Sequence, residues 1–86
     1  MMDIAPGVSA AERLRRLVID VLLIDEGDYR DDHGPDEITT WDSLANLALA
    51  SAIEQEFGVA VPSEEMAGFN CIGDIRQFCR SRGLVV

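Results

Sequence analysis

Lysine is absent from this chain, and seven arginines face sixteen aspartates and glutamates, for a formal net charge of -9. A phosphate polymer or an anionic bilayer repels such a surface, which argues against nucleic acid and membranes as partners. Neutral or basic partners remain. The chain also lacks any apolar run near the roughly eighteen residues of a membrane span. Met1 to Gly7 has neither the positive start nor the apolar core of a secretion signal, so a cytoplasmic protein is expected.

Cysteine is scarce too. Cys71 and Cys79 lie eight residues apart in what reads mostly as one helix, which separates them by roughly 12 Å at about 1.5 Å per residue. A disulfide needs its two Cα atoms within about 7 Å, so none is expected. Their spacing matches no metal site, and both read as small buried apolar groups. Histidine occurs once, at His33 in a loop, which offers a serine little prospect of a base and argues against a hydrolase; no catalytic residue is assigned.

What the chain does have is apolar residues, at 48% of 86 positions. That is enough for one small domain with a modest core and too little length for two. The expected layout is a single domain over 1–86, with a leader over 1–8 and a tail over 83–86. Ser9-Ala10-Ala11-Glu12 has the spacing of a capping box, and Leu14, Leu17, Val18, Val21, Leu22 and Ile24 follow at helical spacing. Arg13, Arg15 and Arg16 fall on a solvated face of this first helix.

Between Asp25 and Asp42 the chain carries Asp25, Glu26, Asp28, Asp31, Asp32, Asp36, Glu37 and Asp42 against a single Arg30. No start within it gives the oxygen ligands, glycine and glutamate of an EF-hand in register; a solvated acidic loop is the reading taken, with a loose divalent site as the alternative, and no metal ligand is assigned. It reads as a long acidic connection anchored by Tyr29, Ile38 and Trp41. A second helix, about 43 to 57, ends at Gly58 and carries Leu44, Leu47, Leu49, Ile53 and Phe57 on a wide apolar face. Val59 to Pro62 runs extended, Ser63 to Met66 starts a short helix, and a last helix from Asn70 or Cys71 carries Ile72, Ile75, Phe78 and Cys79 on one face. The fold class is all-α: three main helices and a short one in a small four-helix bundle. Monomer is the default, since no coiled-coil seam or large apolar patch is marked.

The organising stretch is Thr40-Trp41-Asp42-Ser43-Leu44. It puts a serine hydroxyl at a helix N-terminus, where unpaired amides and the helix dipole favour a phosphate, so Ser43 is well placed to carry a phosphodiester. Asp and Ser also favour helix starts, and the pair reads as well as an N-cap, Asp42, followed by a first helical residue, Ser43.

With Asp42-Ser43-Leu44 followed by Ile53-Glu54-Gln55-Glu56-Phe57-Gly58-Val59, Val61-Pro62 and Ile72-Gly73-Asp74-Ile75, the chain resembles the acyl carrier protein family over about half its length. The resemblance implies that Ser43 receives 4'-phosphopantetheine from coenzyme A through a phosphopantetheinyl transferase and magnesium. Asp42 matches the adjacent acid, and the arm's thiol holds cargo as a thioester. It further implies an amino-acid or acyl activating enzyme and a downstream acyl or aminoacyl transferase as partners.

Where fatty-acid carriers usually have two acids and a bulky apolar residue, this chain has Ala45, Ala48 and Ser51. Partners would then meet a small, neutral surface of Leu44, Ala45, Ala48 and Ser51, with Trp41 beside it and charge supplied by the loop. Thr40-Trp41 resembles the variant of discrete carriers served by stand-alone activating enzymes. The expectation is a carrier of aminoacyl or short acyl groups. A fatty-acid or polyketide carrier is one alternative, and a helical interaction module without a prosthetic group is another.

Overall fold

In the computed structural model, which describes residues 8–86, Leu14, Val18 and Leu22 fall at every fourth position of α1 (Ala10–Leu22) and are fully buried. They meet Leu49 and Ile53 of α2 (Ser43–Phe57) and Ile72, Ile75, Phe78 and Cys79 of α4 (Ile72–Ser81) in one core, and a five-residue α3 (Ser63–Ala67) lies between α2 and α4 in sequence. The described chain is thus all-helical, a four-helix bundle with a long loop between its first two helices. All but the last residue of the expected leader lies outside the described residues.

The ends of the helices follow from short-range chemistry. Ser9 caps α1, its hydroxyl accepting the Glu12 amide at 3.1 Å. Glu12 does not complete the expected capping box; its carboxylate instead takes the side chains of Arg15 and Arg16. The α2 helix ends at Gly58, whose φ of +68° suits a residue without a Cβ. At the end of α4, Gly83 at φ +88° lets the Leu84 amide reach back to the Cys79 carbonyl at 3.1 Å.

Three expectations need correction. The tail does not trail: Val86 is buried, and its carbonyl accepts both Nε and Nη2 of Arg76, at 3.2 and 2.7 Å. Arg13 is not merely solvated, since it bonds to α2. The face of α2 is divided, with Leu49, Ala50 and Ile53 buried while Leu44 and Leu47 stand 75% and 53% exposed. Apolar residues surround this helix, so periodicity alone did not choose the side that meets the core.

The acidic connection holds its shape through backbone bonds and a few anchors. Ile38 and Trp41 are buried and Tyr29 is half-buried, as expected of anchors. Thr40 donates its hydroxyl to the Leu22 carbonyl, tying the loop to the end of α1. The carbonyls of His33 and Asp31 accept the Ile72 and Gly73 amides at 2.9 and 3.0 Å. The loop thereby caps α4, whose N-cap residue Cys71 supplies no side-chain bond.

Candidate functional site

Asp42 adopts extended backbone angles and caps α2, its Oδ1 accepting the Ala45 amide at 2.8 Å. Ser43 is the first residue of the helix and is exposed. The capping reading of this pair therefore holds. It coexists with an accessible hydroxyl. Asp42 takes one amide of the first turn, while those of Ser43 and Leu44 have no protein acceptor among the described residues. This leaves part of the anion-favouring end of the helix open beside Ser43.

Trp41 is held from two sides. Its ring is only 4% exposed and belongs to the core, while its Nε1 donates to Asn46 Oδ1 at 3.1 Å. The other end of the same amide donates through Nδ2 to the Met66 carbonyl at 2.9 Å, so Asn46 links the loop, α2 and the end of α3. These bonds fix the backbone immediately before Ser43. Sequence reading did not single out Asn46, because an Asn one turn into a helix gives no signal of its partners.

A shallow depression of about 280 Å³ opens against Ser43, lined by Pro35, Trp41, Asp42, Asn46 and Phe69. On the outer face of α2, Leu44, Leu47, Ala48 and Ser51 form an exposed stripe that starts one residue past Ser43. Ala45 is half-buried against the core and Trp41 is buried, so neither supplies the accessible surface expected of it. Leu47 takes a place on the stripe that was not foreseen. The acids further along the helix are engaged within the chain: Glu54 accepts the Val61 amide at 2.8 Å, and Glu56 pairs with Arg13.

No group of three or more His, Cys, Asp or Glu residues is arranged to hold a metal ion among the described residues. Both cysteines are free; Cys79 is buried, and Cys71 only half so, against expectation. No helix of the described residues is long and apolar enough to cross a membrane.

Residues 12–79 match the family model for the phosphopantetheine attachment site. The chain belongs to the acyl carrier protein family. It is 30% identical over 71 residues to an acyl carrier protein of Thermosynechococcus vestitus, an alignment covering 83% of this chain and 88% of that one. An acyl carrier protein of Treponema pallidum is 30% identical over 76 residues, covering 81% of this chain and 90% of its own. One from Sinorhizobium fredii is 36% identical over 74 residues, with 79% and 87% covered.

As an acyl carrier protein the chain is a carrier and not a catalyst, and its prosthetic group is 4'-phosphopantetheine. Its partners are phosphopantetheinyl transferases and acyl-handling enzymes. An interaction module with no prosthetic group is thereby set aside. The residues at the start of α2 fit such a group: an exposed hydroxyl, two amides without protein acceptors among the described residues and an open depression beside them.

Proposed function

We propose that Ser43 is the attachment point of the phosphopantetheine arm, and that this carrier presents an aminoacyl or short acyl group to stand-alone partner enzymes. The arm supplies a thiol on which cargo is held as a thioester. Ser43 supplies the bridging oxygen, and Asp42 holds the first turn of α2 in shape by capping the Ala45 amide. The observation that carries this reading is the exposed Ser43 at the head of an uncharged stripe, Leu44, Leu47, Ala48 and Ser51.

A stripe without charge cannot be oriented by a basic patch on a partner. Contact there rests on apolar complementarity around Leu44 and Leu47, while the acids of the loop steer approach from one side. A partner suited to this surface has an apolar seat with basic residues at one edge, and we assign that role to an amino-acid or acyl activating enzyme and to the transferase that accepts its product. The free thiols of Cys71 and Cys79 support a cytoplasmic setting.

A second reading, a carrier for fatty-acid or polyketide synthesis, is favoured by the relatives, each named simply an acyl carrier protein. Competition separates the two. The phosphopantetheinylated protein is offered to an amino-acid activating enzyme and to a malonyl transferase of fatty-acid synthesis. The proposal expects poor loading by the malonyl transferase and improved loading in Ala48→Glu. Efficient malonyl loading of the native protein, with no gain from Ala48→Glu, supports the second reading instead.

A further inference from the structure

The depression beside Ser43 stops at the outer layer of the core. Trp41 and Phe69, which line it, are 4% and 5% exposed and belong to the buried cluster that also contains Ile53, Ile72 and Ile75. An apolar chain tethered at Ser43 gains by every methylene it removes from water. The depression lies between Asn46 of α2 and Phe69 just past the end of α3, and three hydrogen bonds converge on that junction. Trp41 Nε1 donates to Asn46 Oδ1, Asn46 Nδ2 donates to the Met66 carbonyl, and the Phe69 amide donates to that same carbonyl at 3.1 Å.

We infer that the relay from Trp41 through Asn46 to Met66 is a specificity-determining gate, which shuts the α2–α3 seam against long apolar cargo and leaves short or polar cargo exposed to partner enzymes. This rests on Ser43 as the attachment point. A helix of five residues does not hold itself in place, so α3 depends on such outside bonds for its position. Asn46 supplies a hydrogen bond from α2 to it, at the Met66 carbonyl. Moving α3 away strips the Met66 carbonyl of the Asn46 bond; moving Asn46 with it leaves the indole N–H of a buried ring without an acceptor, and each outcome is unfavourable.

Phe69 is a second bar. It lines both this depression and another of about 370 Å³ between α3 and α4, whose wall includes Phe78. The two rings meet edge to face with centroids 5.8 Å apart. A chain passing from one depression to the other must displace Phe69 from that contact. Asn46 and Trp41 thus act as positioning residues for the wall of the site, and they form no bond with cargo.

The test loads the protein with acetyl- and dodecanoyl-phosphopantetheine from the corresponding coenzyme A thioesters, and follows the Trp41 indole N–H resonance and the thermal midpoint. The gate predicts the same indole resonance and the same midpoint for both loads in the native protein. In Asn46→Ala the indole resonance moves with dodecanoyl and not with acetyl. Trp41→Phe keeps an aromatic ring but not the donor, and there the Asn46 side-chain amide moves with dodecanoyl. A shift or a raised midpoint in the native protein that grows with chain length overturns the inference, as does a folded variant that answers dodecanoyl no differently from acetyl.

Mass spectrometry of the loading step reports on Ser43 alone. The gate is also read without any arm, by adding free N-dodecanoyl cysteamine to unmodified native protein and to Asn46→Ala, so the two readings fail separately. An indole shift in Asn46→Ala only supports the gate; a shift in the native protein contradicts it.

Discussion

Arg13 reaches from α1 to the last turn of α2, placing its Nε 2.6 Å from Glu56 Oε2 and its Nη2 2.7 Å from the Glu56 carbonyl. The same guanidinium lies 5.1 Å from the centroid of the Phe57 ring. One planar cation therefore pairs with a carboxylate, caps a terminal carbonyl and covers an aromatic face. Arg13→Ala is expected to destabilise the fold by about 1 to 2 kcal/mol, and Arg13→Lys to recover less than half of that, since an ammonium cannot make all three contacts. Urea denaturation followed by circular dichroism measures both. A loss within error for Arg13→Ala would mark the pair as an ordinary exposed ion pair.

At the other end of α1, Leu23 has φ +56° and is 81% exposed. Its left-handed conformation lets the Ile24 amide reach the Ile19 carbonyl at 3.2 Å, but a side chain in that region costs about 1 to 2 kcal/mol. Leu23→Gly removes the strain and forfeits little burial. A gain of about 0.5 to 1 kcal/mol is expected after the extra freedom of the unfolded chain is deducted. An unchanged or lower denaturation midpoint counts against this account of the turn.

The sequence shows where such helix ends fall more readily than how the connections between them are held. Ser9, Gly58 and the fourfold spacing of Leu14, Val18 and Leu22 announce themselves because capping and burial act within a few residues. Asp42 and Ser43 were legible for the same reason. Asn46 was not, because its two partners lie five and twenty residues away, and neither is marked by residue type. The exposure of Leu44 and Leu47 was hidden as well, since an α2 apolar on every side fits the core in more than one rotation.

Gly34 shows how closely the acidic loop approaches α4. A Cβ added there would stand 2.1 Å from the Asn70 carbonyl oxygen, and the atom it meets is backbone that cannot swing aside. Gly34→Ala should cost about 2 kcal/mol or more. Amide exchange at Ile72 and Gly73, whose N–H groups are capped by the loop, should quicken in the same variant. Exchange that stays slow at both would show that the loop does not close the start of α4.

Alkaline pH probes the core directly. Burial pushes the Cys79 thiol up from 9.0 to about 11, and burial also raises the Tyr29 phenol above 10.0. Well below pH 9 the thiol is protonated in folded and unfolded chains alike, and the full stability is present. As pH rises from there toward about 11 the unfolded chain gives up its proton first, so stability falls, by an amount on the order of 2 kcal/mol from this thiol. Denaturation midpoints across this range should drop more shallowly in Cys79→Ala, with Tyr29 supplying the slope that remains. An equally steep drop would show that the thiol is not held neutral by burial.

The attachment itself is settled by weighing the protein. Incubated with coenzyme A, magnesium and a broad-specificity phosphopantetheinyl transferase, the native chain is expected to gain the mass of one phosphopantetheine, with the modified peptide containing Ser43. Ser43→Ala, with its helical circular dichroism intact, is expected to gain none. Mass gained equally by that variant, or no gain by correctly folded native protein, would contradict the assignment of Ser43.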